Sequence, residues 1–355
     1  MRQNFERKNK KLTLGFVYDL PAKLENSSEM IFPDDANGEW ETQNTIDKII
    51  QTWESIGFSV ILFPMDNSFL KNWSEKSSQC SLIHSVVEGW GSLAREGWIP
   101  SLCEISGIPF IGSDPFTQSI CMSKSQIKLT CQYLNIPTSP FYIIKKLKDL
   151  KKIPREFFNE THFIKPDGEG SGMGINASYS ISNSKSHTEK LTYSLLEKYP
   201  HGVLIEKYLK GAEYTSAIIG TPIQNLPIAQ IEVNDGIYGL TNKSKDFMEE
   251  KVTFPKLTKK IESIIKKGTE DLFQFLEIKD FVRMDWRCDE KGEVYFLEAN
   301  TLPGISYYYS VLPMMAEKIG VNYEQLFQIL AESALKRSYD RNLWYGKTRI
   351  KNKNL

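Results

Sequence analysis

The sequence has no surplus charge, few histidines and no paired cysteines. Its 44 Lys and Arg residues cancel its 44 Asp and Glu residues, so nothing draws the chain as a whole to nucleic acid or to an anionic membrane, and any phosphate binding has to be local. The five cysteines, Cys80, Cys103, Cys121, Cys131 and Cys288, are odd in number and form no CxxC pair. That argues against a disulfide framework and for reduced, mostly buried thiols in a cytoplasmic protein. The four histidines, His84, His162, His187 and His201, show no metal-ligand spacing and read as structural or exposed. No run reaches the ~18 apolar residues of a membrane span. Residues 1–11 are basic and polar, without the apolar core of a signal peptide. Internal repeats and low-complexity stretches are also missing. What remains is a chain of 355 residues, enough for two or three compact units, with neither membrane nor nucleic acid as a partner.

The first 115 residues alternate strand and helix patterns. Apolar stretches at 12–18, 58–63, 81–87 and 108–112 are interleaved with Ile46, Ile49, Ile50, Trp53 and Ile56 at helical spacing and with a helix pattern over 93–105. This texture predicts a small parallel sheet with helices on both faces. Residues 19–44 are a polar excursion, either a surface loop or one that covers substrate. A helix over 123–134 and a strand at 141–144 follow, and the lysine-rich stretch 145–152 reads as a boundary and solvated surface. From His162 the pattern turns to hairpins: strands at 163–165, 175–179, 203–208, 214–219 and 228–233. An amphipathic helix over 258–276 and a final helix over 323–335 complete the pass, with a basic, frayed tail from Lys336.

Chemistry gathers first on the hairpin Phe281-Val282-Arg283-Met284-Asp285-Trp286 and Val294-Tyr295-Phe296-Leu297-Glu298-Ala299-Asn300. With Lys291-Gly292 as a two-residue turn, Asp285 faces Glu298 and Arg283 faces Asn300, all on one side, because side chains alternate along a strand. Hard oxygen donors without Cys or His suit magnesium, which takes one or two carboxylates and fills its shell with water and phosphate oxygens. A salt-bridged solvent face is the alternative. A second cluster is Lys165-Pro166-Asp167-Gly168-Glu169-Gly170-Ser171-Gly172-Met173-Gly174. It ends in no GK[ST] and does not complete GxGxxG, which disfavours Walker A and Rossmann sites. A flap with a lysine at its base, able to cover a triphosphate, fits, as does a plain mobile hairpin. Downstream, the edge backbone of the strand around Glu206, Lys207 and Leu209 could pair with an adenine, Glu213 could accept from ribose hydroxyls, and Lys243 and Lys245 could reach phosphates.

Met122-Ser123-Lys124, Phe163-Ile164-Lys165-Pro166 with Glu169-Gly170-Ser171, Leu204-Ile205-Glu206-Lys207 with Glu213, and Glu298-Ala299-Asn300 before Pro303-Gly304 occur in an order that resembles the ATP-grasp superfamily, in its D-alanine:D-alanine ligase branch. The likeness runs over about residues 12–335. It implies an α/β fold, α+β in the central and C-terminal parts, in three pieces: an N-terminal parallel-sheet domain (1–115), a small central domain with the glycine-rich flap (116–210) and a C-terminal domain with the metal site (211–355). It implies ATP, with magnesium as two ions and manganese as an alternative. Lys124, Lys165, Gly170, Ser171 and Lys243 would hold phosphates. Glu206, Lys207 and Leu209 would meet adenine, and Glu213 the ribose. Asp285, Glu298 and Asn300 would hold metal, with Arg283 at the oxyanion and Glu169 and Ser171 near the transferred phosphate. A homodimer is implied by likeness alone.

The expected reaction activates a carboxylate as an acyl phosphate, which a free amine then attacks. The amino-acid pockets depart from the family pattern. After the first strand the chain reads Phe16-Val17-Tyr18-Asp19-Leu20-Pro21, which leaves Asp19 as a candidate for the first amino group and an ordinary loop aspartate as the alternative. Ser244 replaces the family's tyrosine after the loop lysine. The segment Ile305-Ser306-Tyr307-Tyr308-Tyr309-Ser310 runs one residue longer than usual; Ser310, by its distance to Pro313, is the candidate for the second carboxylate, with Gly304 as a further substrate candidate, and the three tyrosines either reshape that pocket or are plain packing residues. The reading is thus a ligase joining amino acids, short peptides or closely similar substrates, other than two D-alanines. Its rivals are a divergent cell-wall D-alanine:D-alanine ligase and a nucleotide-binding regulator without turnover.

Overall fold

The computed structural model describes residues 12–19, 38, 40–175, 180–232 and 251–344. Lys243, Ser244 and Lys245, together with residues 176–179 of one expected strand, lie outside these residues.

The first part contains β1 (Thr13–Tyr18), α1 (Gln43–Ser55), β2 (Ser59–Pro64), α2 (Phe69–Lys76), β3 (Leu82–Ser85) and α3 (Trp98–Ser106). Its strands form a parallel sheet in the order β2-β1-β3. Thr42 caps α1 by accepting from the Thr45 amide at 3.2 Å, and Ile46, Ile49 and Trp53 form its buried stripe. The glycine inside β1 follows from crowding: a Cβ on Gly15 would stand 2.5 Å from Ile83 Cδ1. The expected strand at 108–112 is reduced to a parallel bridge between Ile83 and Phe110. Pro109 has no amide to donate, and Gly112 at φ 102° turns the chain away.

The second part contains α4 (Pro115–Met122), α5 (Lys124–Tyr133), β4 (Phe141–Ile144), β5 (His162–Pro166), β6 (Ile181–Ser182), α6 (Lys185–Lys198) and β7 (Val203–Lys207). Its strands form an antiparallel sheet in the order β4-β7-β5-β6. Two helices here went unread in the sequence. α4 is signalled by Asp114, which caps it, and by Pro115 at its first position. α6 buries Thr188, Thr192 and Leu195, a stripe too polar to register as a hydrophobic period.

The third part contains β8 (Glu213–Ile219), β9 (Gln224–Asn225), β10 (Ala229–Glu232), β11 (Lys251–Thr253), α7 (Lys259–Phe275), β12 (Phe281–Cys288), β13 (Val294–Asn300), α8 (Val311–Glu317) and α9 (Tyr323–Trp344). Antiparallel strands run β11-β10-β8-β12-β13, with β9 on β8. α9 continues to Trp344, so the frayed tail expected from Lys336 is helical there.

Three sheets do not mean three separate cores. Phe16, Trp53 and Phe58 of the first part share one apolar cluster with Leu312, Phe327 and Leu330 of α8 and α9 and with Ala217 and Phe281 of the third sheet. The inner face of β12 and β13, Met284, Trp286 and Phe296, packs on Ile265 and Leu272 of α7 and on Ile127 and Cys131 of α5. Each such buried side chain contributes ~1.5–3 kcal/mol, so these contacts anchor the hairpin on one face and leave the other for chemistry.

Candidate functional site

β12 and β13 pair with Arg283 opposite Asn300 and Asp285 opposite Glu298, the facing pairs read from the sequence. The route to that register differs. Cys288 pairs with Val294, and the Asp289 amide donates to the Glu293 carbonyl at 2.9 Å, so the loop is Glu290, Lys291 and Gly292 with Gly292 at φ 79°. A three-residue loop by itself would have put Leu297 opposite Asp285. The ladder shifts between Asp285 and Trp286, making Leu297 an extra residue, so that Leu297 and Glu298 both line the cavity while Phe296 and Ala299 stay in the core. The loop and this β-bulge cancel, and the acidic pair stays on one face.

That face is the floor of a cavity of about 270 Å3. Asp285 is held by Arg283, whose Nε and Nη2 reach its two oxygens at 3.1 and 3.0 Å. Thr215 on β8 donates to Asp285 Oδ1 at 2.7 Å and Asn300 Nδ2 to Oδ2 at 3.3 Å. Lys124 at the start of α5 lies 3.2 Å from Glu298 and also donates to the Glu169 carbonyl. Burial alone would raise the Glu298 pKa, but Lys124, Lys165 and Arg283 together bring it down to about 2, so the carboxylate is ionised. Two opposed carboxylates and an amide oxygen make a hard donor set suited to magnesium. Among the described residues no three His, Cys, Asp or Glu side chains gather as a cage of their own.

The cavity brings together Lys124, Lys165 and the flap residues Glu169, Gly170 and Ser171 on one side, and Glu213, Arg283, Asp285, Glu298 and Asn300 below. Gly304 and Ser310 close the far end. Ser310 Oγ accepts from the Ser306 amide at 2.9 Å, and a Cβ on Gly304 would come within 2.9 Å of that oxygen. Of the three consecutive tyrosines only Tyr309 faces the cavity, donating to Glu41 at 2.6 Å. Tyr307 and Tyr308 are exposed.

Several expectations move. Glu206 does not face the cavity. It is buried between Lys165 at 2.7 Å and Lys128 at 2.8 Å, and these lysines outweigh burial and hold its carboxyl far below the usual range. β7 is an interior strand, not an edge: the Lys207 amide donates to the Pro140 carbonyl at 3.0 Å, the Lys207 side chain pairs with Glu160 at 2.8 Å, and Leu209 is buried. Asp19 is structural, since its Oδ2 accepts from the amides of Glu88 and Gly89 at 3.1 and 2.8 Å.

Other residues emerge that sequence reasoning missed. Lys128 is fully buried, one helical turn after Lys124, a spacing that could have revealed it. Arg287, two residues beyond Asp285 on the same face, binds Glu213 at 3.0 Å. Arg95, fully buried, donates to the Gly168 carbonyl at 2.9 Å and meets Glu169 at 3.2 Å, tying the first part to the flap. No local pattern pointed to it. Glu41 and Glu88 also line the cavity.

Comparison with known proteins finds relatives by sequence and by fold. Residues 131–332 match the family model described as D-ala D-ala ligase C-terminus. A D-alanine–D-alanine ligase of Buchnera aphidicola subsp. Baizongia pistaciae is 30% identical over 69% of this chain and 78% of its own length. One from Methylacidiphilum infernorum is 31% identical over 68% and 75%. The fold resembles the crystal structure of the D-alanine–D-alanine ligase from Bacillus anthracis complexed with ATP, with a TM-score of 0.72 at 20% identity, covering 93% of this chain and 99% of that one. D-alanyl-alanine synthetase A from Vibrio cholerae matches with a TM-score of 0.72 at 17% identity, covering 92% and 100%.

Proposed function

The chain belongs to the D-alanine–D-alanine ligase family, and we propose that it is an ATP- and magnesium-dependent ligase joining a carboxylate to an amine. The observation that carries this reading is the convergence of Lys124, Lys165 and Arg283 with Asp285 and Glu298 in one cavity. A protein that only bound nucleotide would have no use for a guanidinium beyond the phosphate-facing lysines.

Asp285, Glu298 and Asn300 would hold magnesium, which supplies charge neutralisation on phosphate oxygens when bound. Lys124 and Lys165 neutralise the triphosphate, Lys165 with its ammonium kept protonated by Glu206 and Glu298 against the pull of burial. The flap amides at Gly170 and Ser171, with Ser171 at φ 52°, can face the same oxygens. Glu213 accepts from the ribose. A substrate carboxylate oxygen attacks the γ-phosphorus and ADP departs. The amine then attacks the acyl carbon, phosphate leaves with the bonding pair, and the ammonium so formed gives up its proton to the departing phosphate. Arg283 stands where the tetrahedral oxygen turns negative, a contact whose loss typically costs ~3–4 kcal/mol of barrier. In the nucleotide-free chain it pairs with Asp285, the carboxylate that would hold the cation.

The substrates we propose are amino acids other than a pair of D-alanines, because Glu41 and Tyr309 shape the end beside Gly304 and Ser310. The relatives' names favour D-alanine as a second reading. An ADP-release screen of paired amino acids of both hands decides between them. Turnover with mixed pairs and none with D-alanine alone supports our proposal, and fast turnover with D-alanine as sole substrate supports the second.

A further inference from the structure

Lys124 leans on the base of the glycine flap at both of its ends. Its amide donates to the Asp167 carbonyl at 3.1 Å. The Asp167 carboxylate accepts from the neighbouring Ser123 hydroxyl at 2.9 Å and Ser125 amide at 2.6 Å, so the start of α5 is capped from the flap. At the other end, the Lys124 ammonium donates to the Glu169 carbonyl and lies 3.2 Å from Glu298. Where residues 167–169 stand therefore decides where this charge points.

Those three residues are held from two sides. Within the second part, the Asp167 amide donates to the Gly202 carbonyl at 3.0 Å. From the first part comes Arg95, which is fully buried. Its Nη1 donates to the Gly168 carbonyl at 2.9 Å and its Nη2 to the Glu169 carboxylate at 3.2 Å. Leu93 closes on the same spot, since a Cβ on Gly168 would stand 2.3 Å from its Cδ2. A guanidinium is a planar fork with donors at fixed spacing, so it can hold a carbonyl and the next residue's carboxylate together, whereas an ammonium is a compact point charge. Glu169 is buried as well. A carboxylate there without its cation would shift or take up a proton, and would carry along its own carbonyl, the acceptor for Lys124.

We propose that Arg95 is a positioning residue for nucleotide binding: from the first part of the chain it fixes the backbone at Gly168 and Glu169, and through the Glu169 carbonyl it aims the Lys124 ammonium at the triphosphate. This rests on the reading of the cavity as an ATP site, and on no particular pair of substrates. A joint that served only to hold the parts together would cost stability when weakened and leave ATP affinity alone.

The test is calorimetric titration with ATP and magnesium in the absence of substrates. Arg95→Lys keeps a charge beside Glu169 and gives up the fork. It should raise the Kd for ATP about tenfold, as for one weakened charge-assisted contact. Lys124→Met should raise Kd further. Adding Arg95→Lys to that variant should change it by no more than about twofold, because the arginine acts through the lysine. If Arg95→Lys does not fold, Arg95→Met combined with Glu169→Met decides, since removing both charges leaves neither buried alone. Taking a carboxylate away from the phosphates would by itself tighten ATP, so a several-fold weaker Kd in that variant marks the lost support. An unchanged Kd in the folded variant, or an Arg95→Lys effect that multiplies in full on Lys124→Met, overturns the positioning role and leaves the ligase reading in place. If the wild type binds no ATP, the ligase reading falls and this role falls with it.

Discussion

At the scale of single residues, the site depends on charges that cannot be removed one at a time. Glu298 faces Asp285 and is ionised by three cations around it. Glu298→Gln should therefore lower kcat by at least about a hundredfold, since several kcal/mol of charge stabilisation are lost, with the melting temperature within a few degrees of wild type. An unchanged rate would remove the metal assignment. Lys128 answers Glu206 from inside the core, and taking away one partner of a buried pair typically costs ~3–5 kcal/mol. Lys128→Met should thus cut stability by that order in denaturant unfolding. Glu213 gives a pH signature. Burial, together with Asp285 and Glu298, raises its pKa to about 7 despite Arg287. Below that pH it is protonated and accepts less strongly from ribose, so KM for ATP should rise a few-fold as pH falls through 7, and Glu213→Gln should flatten the profile. The same shift means that the folded chain keeps a proton that the unfolded one loses between its ordinary value of 4.5 and about 7. Nucleotide-free stability from this group therefore falls as pH rises across that window. The acidic pair, Lys124 and Lys165 were legible in the sequence because strand alternation and motif order mark them. Lys128 and Arg95 were not, because their partners lie 78 and 74 positions away.

At the scale of elements, the hairpin shows how a correct facing pair can be read for an incomplete reason. A two-residue turn was expected, whereas the chain uses a three-residue loop and recovers the register with an extra residue at Leu297. Deleting Leu297 should leave a regular ladder with Glu298 still opposite Asp285, so magnesium-dependent ATP binding should persist within about tenfold by calorimetry. Abolished binding with the fold intact would contradict this account of the bulge. Helices with strong apolar stripes, α1 and α7, were evident from spacing. α6 was hidden by its buried threonines, and the bridge at Phe110 was overcounted as a strand because its apolar run continues through Pro109.

At the scale of the molecule, the first sheet is locked to the last helices, which no local pattern could disclose. Phe16, Trp53 and Phe327 share one cluster. Asp280, buried at the start of β12, accepts from Ser333 at 2.7 Å, from Arg337 and from the Gly112 amide at 2.8 Å, tying α9, β12 and the end of the first part together. Asp280→Ala should cost about 3 kcal/mol, seen as a lower midpoint in a transition that stays single. Among the described residues no helix is long and apolar enough to cross a membrane, and the large cavity is lined both by the glycine flap and by the third sheet. The most direct measurement is ADP release with amide product quantified by mass, for wild type, with carboxylate and amine substrates supplied singly and together. The account predicts one ADP per amide, dependent on magnesium and on both substrates. ATP binding without ADP release from any pair, or ADP release that yields no amide, would contradict it.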